Sequence, residues 1–226
     1  FIVLKRANLY NTQCLAVVFG LSARKGVYEI ESELCIFSLQ LDGGIMLFNV
    51  EKLMGIIACI MKRMDVKSIN YMKVIKLMYL SDRLHIDKYD SSISNDEYYS
   101  MPHGPVLSRL YNLIMNESCD KFQKEWDKFF LRDGYDIAIR DTSVNEKILE
   151  LSRAEENTIG EIVDKYGRMD KWDLVNNVAH KLPEWEDPQG SSIPLPLRKI
   201  MEALGKDKKE IDTVLAEREI YEKEFA

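Results

Sequence analysis

The chain has 226 residues, 46% of them hydrophobic and 30% charged, with 31 Lys and Arg against 37 Asp and Glu for a formal net charge of −6. That length can bury a core without a disulfide or metal staple, and the composition excludes a disordered or collagen-like chain. The acidic balance argues against nucleic acid as the main partner, and the apolar run 14–19 is far short of the ~20 residues that cross a bilayer, so no membrane partner is expected.

Residues 1–45 differ from the rest of the chain. They are rich in apolar residues but keep no sustained helical period, and GVYEIESELCIFSL alternates loosely, as strands or short helices would. Lys5 and Arg6 ahead of CLAVVFGL imitate the order of a secretory signal, but the apolar core is short and thirteen residues precede it. The segment is therefore read as an N-terminal extension of unknown role, closed by Asp42-Gly43-Gly44, with the functional module spanning 46–226.

From Met46 the pattern becomes helical. Val50, Leu53, Met54, Ile57, Ile60, Met61 and Met64 form the stripe of an amphipathic helix. A second, unusually apolar helix is predicted over 68–89. A wheel places Asp82 and His85 on its apolar face with Tyr71, Ile75 and Met78, and puts Lys73, Lys76, Arg83 and Asp87 on the other side. A third helix is predicted to begin near Asp96, and Pro105 to open a fourth at its first position, where the missing N–H costs nothing. Around Asp133-Gly134 the pattern signals a β-hairpin. Ser152 and Glu155 form a capping box before Ile159, Ile162 and Val163, and Gly167 ends that helix. Asp170 caps the next helix, which stops before Pro183; residues 183–196, with four prolines, read as irregular. Two further helices are split at Gly205, the last heavily charged. The fold class is thus mainly α: a single helical domain with one small hairpin.

Candidate chemistry is sparse. Cys14, Cys35, Cys59 and Cys119 form no CxxC pair and read as reduced, buried small hydrophobes, which suits the cytoplasm. Asp82 and His85, at i and i+3, could form a catalytic or metal-binding pair, a metal site needing His103 and His180 to converge on them; a structural polar contact is the simpler reading. The loop Met101-Pro102-His103-Gly104-Pro105-Val106 reads as a rigid corner leading into a helix N-terminus, and lacks the glycines and Lys-Ser or Lys-Thr of a phosphate loop. His180 fits the last turn of a helix, and Trp185 in LPEWEDP reads as a plug at helix ends or, second, as an exposed anchor. No GxSxG or HExxH is present. The reading is of a protein that is not an enzyme and uses no metal or cofactor.

The stretches KVIKLMYLSDRLHIDKY, MPHGPVLSRLY, LSRAEENTIGEIVDKYG and AHKLPEWEDP, in that order, resemble the Panacea domain of the SocA-like antitoxin family of bacteria and phages. The similarity runs from about Leu47 to the end of the LPEWEDP loop. It implies a mostly helical domain that neutralises a cognate protein toxin by binding it, in one case by presenting the toxin to a protease. It leaves homo-oligomerisation open. The motif positions are Lys76, Leu77, Tyr79, Leu80, Asp82, Arg83, Met101, Pro102, Gly104, Pro105, Val106, His180, Pro183 and Trp185, with His85 and His103 beside them. Three rival readings stand at this point: an adapter that delivers the toxin to a protease, an enzyme built on Asp82, His85 and His103, and a transcriptional regulator, which would need a basic recognition helix where the lysines near Lys206 to Lys209 are cancelled by adjacent acids.

Overall fold

A computed structural model describes residues 48–224. The N-terminal extension, its signal-like stretch and two of the cysteines, Cys14 and Cys35, lie outside the described residues.

The first helix, α1 (Val50–Met64), is capped by Asn49, whose Oδ1 accepts from Glu51 N and Lys52 N. Its apolar stripe is as predicted, yet Ile56 and Ala58, off the stripe, are buried as well. The cause is a 3-10 stretch, Thr142–Glu150, laid along α1. It approaches so closely at Gly55 that a Cβ there would collide with the Lys147 carbonyl.

After a short strand, β1 (Ser68–Asn70), α2 (Tyr71–Tyr89) runs through the centre of the domain, so the helix starts later than the predicted 68. It packs on α1, on α5 (Arg153–Tyr166) and on the hairpin that follows it. Residues 74 to 82 are all buried, on both polar and apolar sides of the wheel. Lys76, placed by the wheel on the solvent side, is 2% exposed, because its outward direction meets a later part of the chain and not water.

Two three-stranded antiparallel sheets flank the helices, where one hairpin was expected. In the first, ordered β1-β5-β4, strands β4 (Phe130–Asp133) and β5 (Asp136–Ile139) form the predicted hairpin. Its register pairs Asp133 with Asp136, and Gly134 takes φ +60° in the turn. Phe130 and Ile137 carry its buried face. The second sheet, with β2 (Tyr98–Met101) between β3 (Gly104–Leu107) and a later strand at 193–194, corrects the helices predicted near Asp96 and at Pro105. Here β2 and β3 pair Ser100 with Pro105 and Met101 with Gly104. Pro105 is tolerated because β3 is an edge strand. The helix α3 (Ser108–Met115) begins three residues later than predicted. Asp96, expected to open a helix, instead caps this one from a distance: its carboxylate accepts from Arg109 N and Leu110 N, both at 3.0 Å. Those two bonds supply what the N-cap position, Leu107, has no polar side chain to give.

Helix α4 (Asp120–Phe129) leads into β4. The capping box of Ser152 and Glu155 opens α5, and Gly167 closes it. Asp170 Oδ1 accepts from Trp172 N to start α6 (Lys171–Asp173), which continues as a π-helical turn, Leu174–Val178, and a 3-10 turn, Ala179–Lys181, before Pro183. The proline-rich segment adds strand β6 (Ile193–Pro194) to β2. Two helices, α7 (Leu197–Ala203) and α8 (Lys208–Glu224), are split at Gly205 (φ +81°) as predicted.

Candidate functional site

The motif positions meet in one corner, where the middle of α2 faces the β2–β3 hairpin and residues 179–186. Three side chains of α2 at i, i+3 and i+7 supply the contacts: Lys76, Tyr79 and Arg83. Lys76 Nζ donates to the Pro105 carbonyl at 2.7 Å. Tyr79 OH donates to Glu184 Oε1 at 2.9 Å, and Arg83 reaches the same carboxylate through Nε at 2.7 Å and Nη2 at 3.3 Å. The Glu184 side chain is fully buried, while that of Arg83 keeps 20% of its surface in water.

Asp82 points to a different neighbour. One carboxylate oxygen accepts from Ile93 N at 2.9 Å and Ser94 N at 3.0 Å, the other from Tyr98 OH at 2.9 Å and from the Ser94 hydroxyl. It fastens the connection between α2 and β2, and the Tyr79 and Tyr98 rings meet edge-on at 5.6 Å beside it. His85 Nδ1 donates to the Ser91 carbonyl at 2.7 Å on the same connection, leaving Nε2 without a partner among the described residues.

The hairpin turn is held from outside by two rings. His180 Nε2 donates to the Pro102 carbonyl and Trp185 Nε1 to the Met101 carbonyl, each at 3.0 Å, and the rings stack with centroids 4.2 Å apart. Gly104 follows in the same turn at φ +96°, where a Cβ would lie 2.8 Å from Ala179 Cβ and 3.4 Å from Lys76 Cε and Nζ. Pro102 lies in the turn, Pro105 in β3 beyond it and Pro183 exposed next to Glu184, while Leu77, Leu80 and Val106 are buried in the core behind them.

Burial dominates the electrostatics here. It brings Lys76 down to about 7, with no carboxylate near enough among the described residues to hold the charge. Burial also pushes Asp82 up, opposed by the hydrogen bonds from Ser94, Tyr98 and Ile93. Asp96 is pushed up to about 7 by burial, against the amides of Arg109, Leu110 and Glu97. The Tyr79 and Tyr98 hydroxyls rise well above the ordinary phenol value, first through burial and then through Glu184 and Asp82 respectively.

The structure does not bring Asp82, His85 and His103 together. Asp82 and His85 bind different atoms of the 91–98 connection, and His103 lies exposed on the hairpin turn with its ring edge-on to Trp172 at 5.3 Å. Among the described residues no three His, Cys, Asp or Glu side chains cluster as metal ligands would. Cys59 and Cys119 are unbridged and half-buried, not buried as expected, and burial raises the Cys59 thiol, which disfavours the reactive thiolate. A cleft between α2 and α5, with Leu80, Leu84, Ile162 and Tyr166 in its wall and Arg83, Asp87, Glu161 and Lys165 among its charged residues, holds about 240 Å³. That is below the ~300 Å³ of the smallest usual ligand pockets. No helix among the described residues is long and apolar enough to cross a membrane.

Sequence reasoning missed Glu184, the buried acceptor for two motif side chains, and Tyr98 and Ser94, which satisfy Asp82. A signal for Glu184 was present: an acid between Pro183 and Trp185 in a segment otherwise built to pack, and an arginine in the central helix needing a partner.

A family model described as "Antitoxin SocA-like, Panacea domain" matches residues 74–186, half of the chain, and so covers α2 from its fourth residue, both hairpins and the residues that lock the turn. No curated protein and no solved structure matches the chain.

Proposed function

The chain belongs to the SocA-like antitoxin family with its Panacea domain, and from that premise we propose that it neutralises a cognate protein toxin by binding it directly, as a non-catalytic protein of the cytoplasm. Residues 46–226 are the binding module in this reading. The observation that carries it is the use to which the motif side chains are put. Lys76, Tyr79, Asp82, Arg83, His180 and Trp185 each hold another part of the fold. A domain whose ionisable groups are committed to rigidity, beside a cleft too small for a usual ligand, suits recognition of a macromolecule better than turnover of a substrate. Its net charge of −6 favours encounter with a basic partner.

The test is co-expression with the product of the adjacent reading frame, followed by co-purification. Growth arrest relieved by this chain, together with a stable complex, is the expected result. Rescue without a complex would replace direct binding by delivery to a protease or by reversal of the toxin's chemistry. A harmless neighbour and no complex would remove the assignment for that pair.

A further inference from the structure

At the end of the domain where α2 begins, and reaching the outer side of the β2–β3 turn, exposed rings from separate segments form a ridge. Tyr135, at the tip of the β4–β5 hairpin, is 69% exposed, and Trp172, in α6, is 46% exposed. The Tyr135 carbonyl accepts from Tyr71 N at 2.9 Å, and the two phenol rings stack with centroids 6.2 Å apart. The Arg132 guanidinium lies over the Tyr71 ring at 5.2 Å, and Lys171 Nζ lies 6.0 Å from the Tyr135 ring. Lys171 precedes Trp172, whose indole meets His103 of the β2–β3 turn edge-on. The ridge thus runs from His103 through Trp172, Lys171, Tyr135 and Tyr71 to Arg132.

The fold makes little use of the outer rings. Tyr135 and Trp172 leave large apolar area in water, held in place by backbone bonds and by stacking and not by burial. Rigid Trp and Tyr rings beside Arg are the side chains that dominate binding energy at protein interfaces, because they bury much area while losing little conformational freedom.

Charge then narrows the partner. Arg132 directs donors to the Gly134 carbonyl and Met115 Sδ, and among the described residues neither it nor Lys171 forms an ion pair. Three neighbouring carboxylates are already engaged: Asp170 caps Trp172 N, Asp136 accepts from Asn70 Nδ2, and Asp173 accepts from Asn177 Nδ2. These neutral donors orient the carboxylates without removing their charge, so the ridge is mixed in sign: Arg132 and Lys171 stand as cations free of ion pairs among Asp133, Asp136, Asp170 and Asp173. Acids interspersed among the cations would repel the continuous phosphate charge of a nucleic acid, whereas a protein can place single carboxylates between them.

We propose that this ridge docks the toxin, taking an apolar side chain between Tyr135 and Trp172 and a toxin carboxylate on Lys171 or Arg132. The inference rests on the antitoxin reading above, and the experiment separates the two. The full chain, Tyr135→Ala/Trp172→Ala, Arg132→Glu/Lys171→Glu and a distant control, Ile220→Ala on α8, are each co-expressed with the adjacent reading frame's product. Their affinities for it are then measured by calorimetry. Loss of two hot-spot rings should weaken binding about 100-fold or more, and the charge reversal should abolish rescue, while thermal melting stays that of the wild type and Ile220→Ala binds normally. Ridge variants that bind and rescue as the wild type does would overturn the docking surface and leave the antitoxin reading standing. No complex with the wild type overturns both. A ridge-dependent complex with single-stranded RNA, measured by fluorescence anisotropy in place of one with the toxin, would overturn the choice of a protein partner.

Discussion

Arg83→Met tests the corner at its most consequential bond. The substitution keeps the aliphatic bulk of the side chain and removes the guanidinium that neutralises Glu184, whose side chain is fully buried. Removing one partner of a buried pair costs about 3–5 kcal/mol, because the other charge stays in a medium that solvates it poorly. Here the Arg83 side chain is 20% exposed, so water can enter behind the methionine, and the low end, about 3 kcal/mol, is expected. For a domain of this size that is a fall in Tm of roughly 6–12 °C. Tyr79 OH still donates to Glu184 Oε1 in the variant, which keeps the carboxylate from being wholly stranded. Arg83→Met/Glu184→Gln then removes the charge but retains an acceptor for Tyr79, and should recover about 2 kcal/mol of the loss. Urea unfolding of the three proteins, with midpoint and slope both fitted, gives the comparison. The reasoning fails if Arg83→Met costs no more than about 1 kcal/mol, the value of a solvent-screened surface pair. It fails equally if the double variant is no more stable than the single one.

The same corner yields two more expected outcomes. Lys76 titrates near 7 in the folded chain and near ~10.4 when unfolded, so between those values the unfolded chain binds more protons and this lysine makes stability rise with pH. Lys76→Met should flatten that rise by up to about 1.4 kcal/mol per pH unit between about pH 7.5 and 9.5. Urea midpoints for the two proteins that run parallel across this window would show that the amine is not buried as described. Gly104→Ala places a methyl 2.8 Å from Ala179 Cβ at φ +96°, and should cost about 2 kcal/mol or more through strain and overlap together. A melting temperature unchanged from the wild type would mean that the turn is not clamped between Lys76 and the 179–185 segment.

What the sequence made legible was local. The capping box at Ser152, the cap at Asp170, the Asp133-Gly134 turn and the break at Gly205 each depend on residues within a few positions of one another, and each is found where expected. The second hairpin was not legible, because Pro105 fits the first turn of a helix as well as an edge strand, and pairing with Ser100 decides between them. Lys76 failed for a related reason. A helical wheel sorts faces by polarity, but this helix is enclosed on nearly every side, and a carbonyl 29 positions along the chain turns a solvent-facing lysine into an internal donor. Asp82 and His85 were placed on the inner face correctly, and only the structure could supply their partners, because Ser94, Tyr98 and the Ser91 carbonyl lie on a connection with no periodicity of its own.

That division has a consequence for how such a domain evolves new partners. The side chains that make the family recognisable are tied up inside the corner, bonded to Pro105, Glu184, Tyr98, Pro102 and Met101. Changing them lowers stability. Tyr135 and Trp172, on the ridge, can change at little cost to the fold, because their outer faces already lie in water. If toxin choice resides on the ridge, folding and specificity are governed by separate residues. Substitutions in the corner should then lower Tm and weaken rescue in proportion to the unfolded fraction. Substitutions on the ridge should abolish rescue with Tm unmoved. Plotting rescue against Tm for both sets would place them on two distinct lines, whereas a single common line would mean that the ridge acts only through stability.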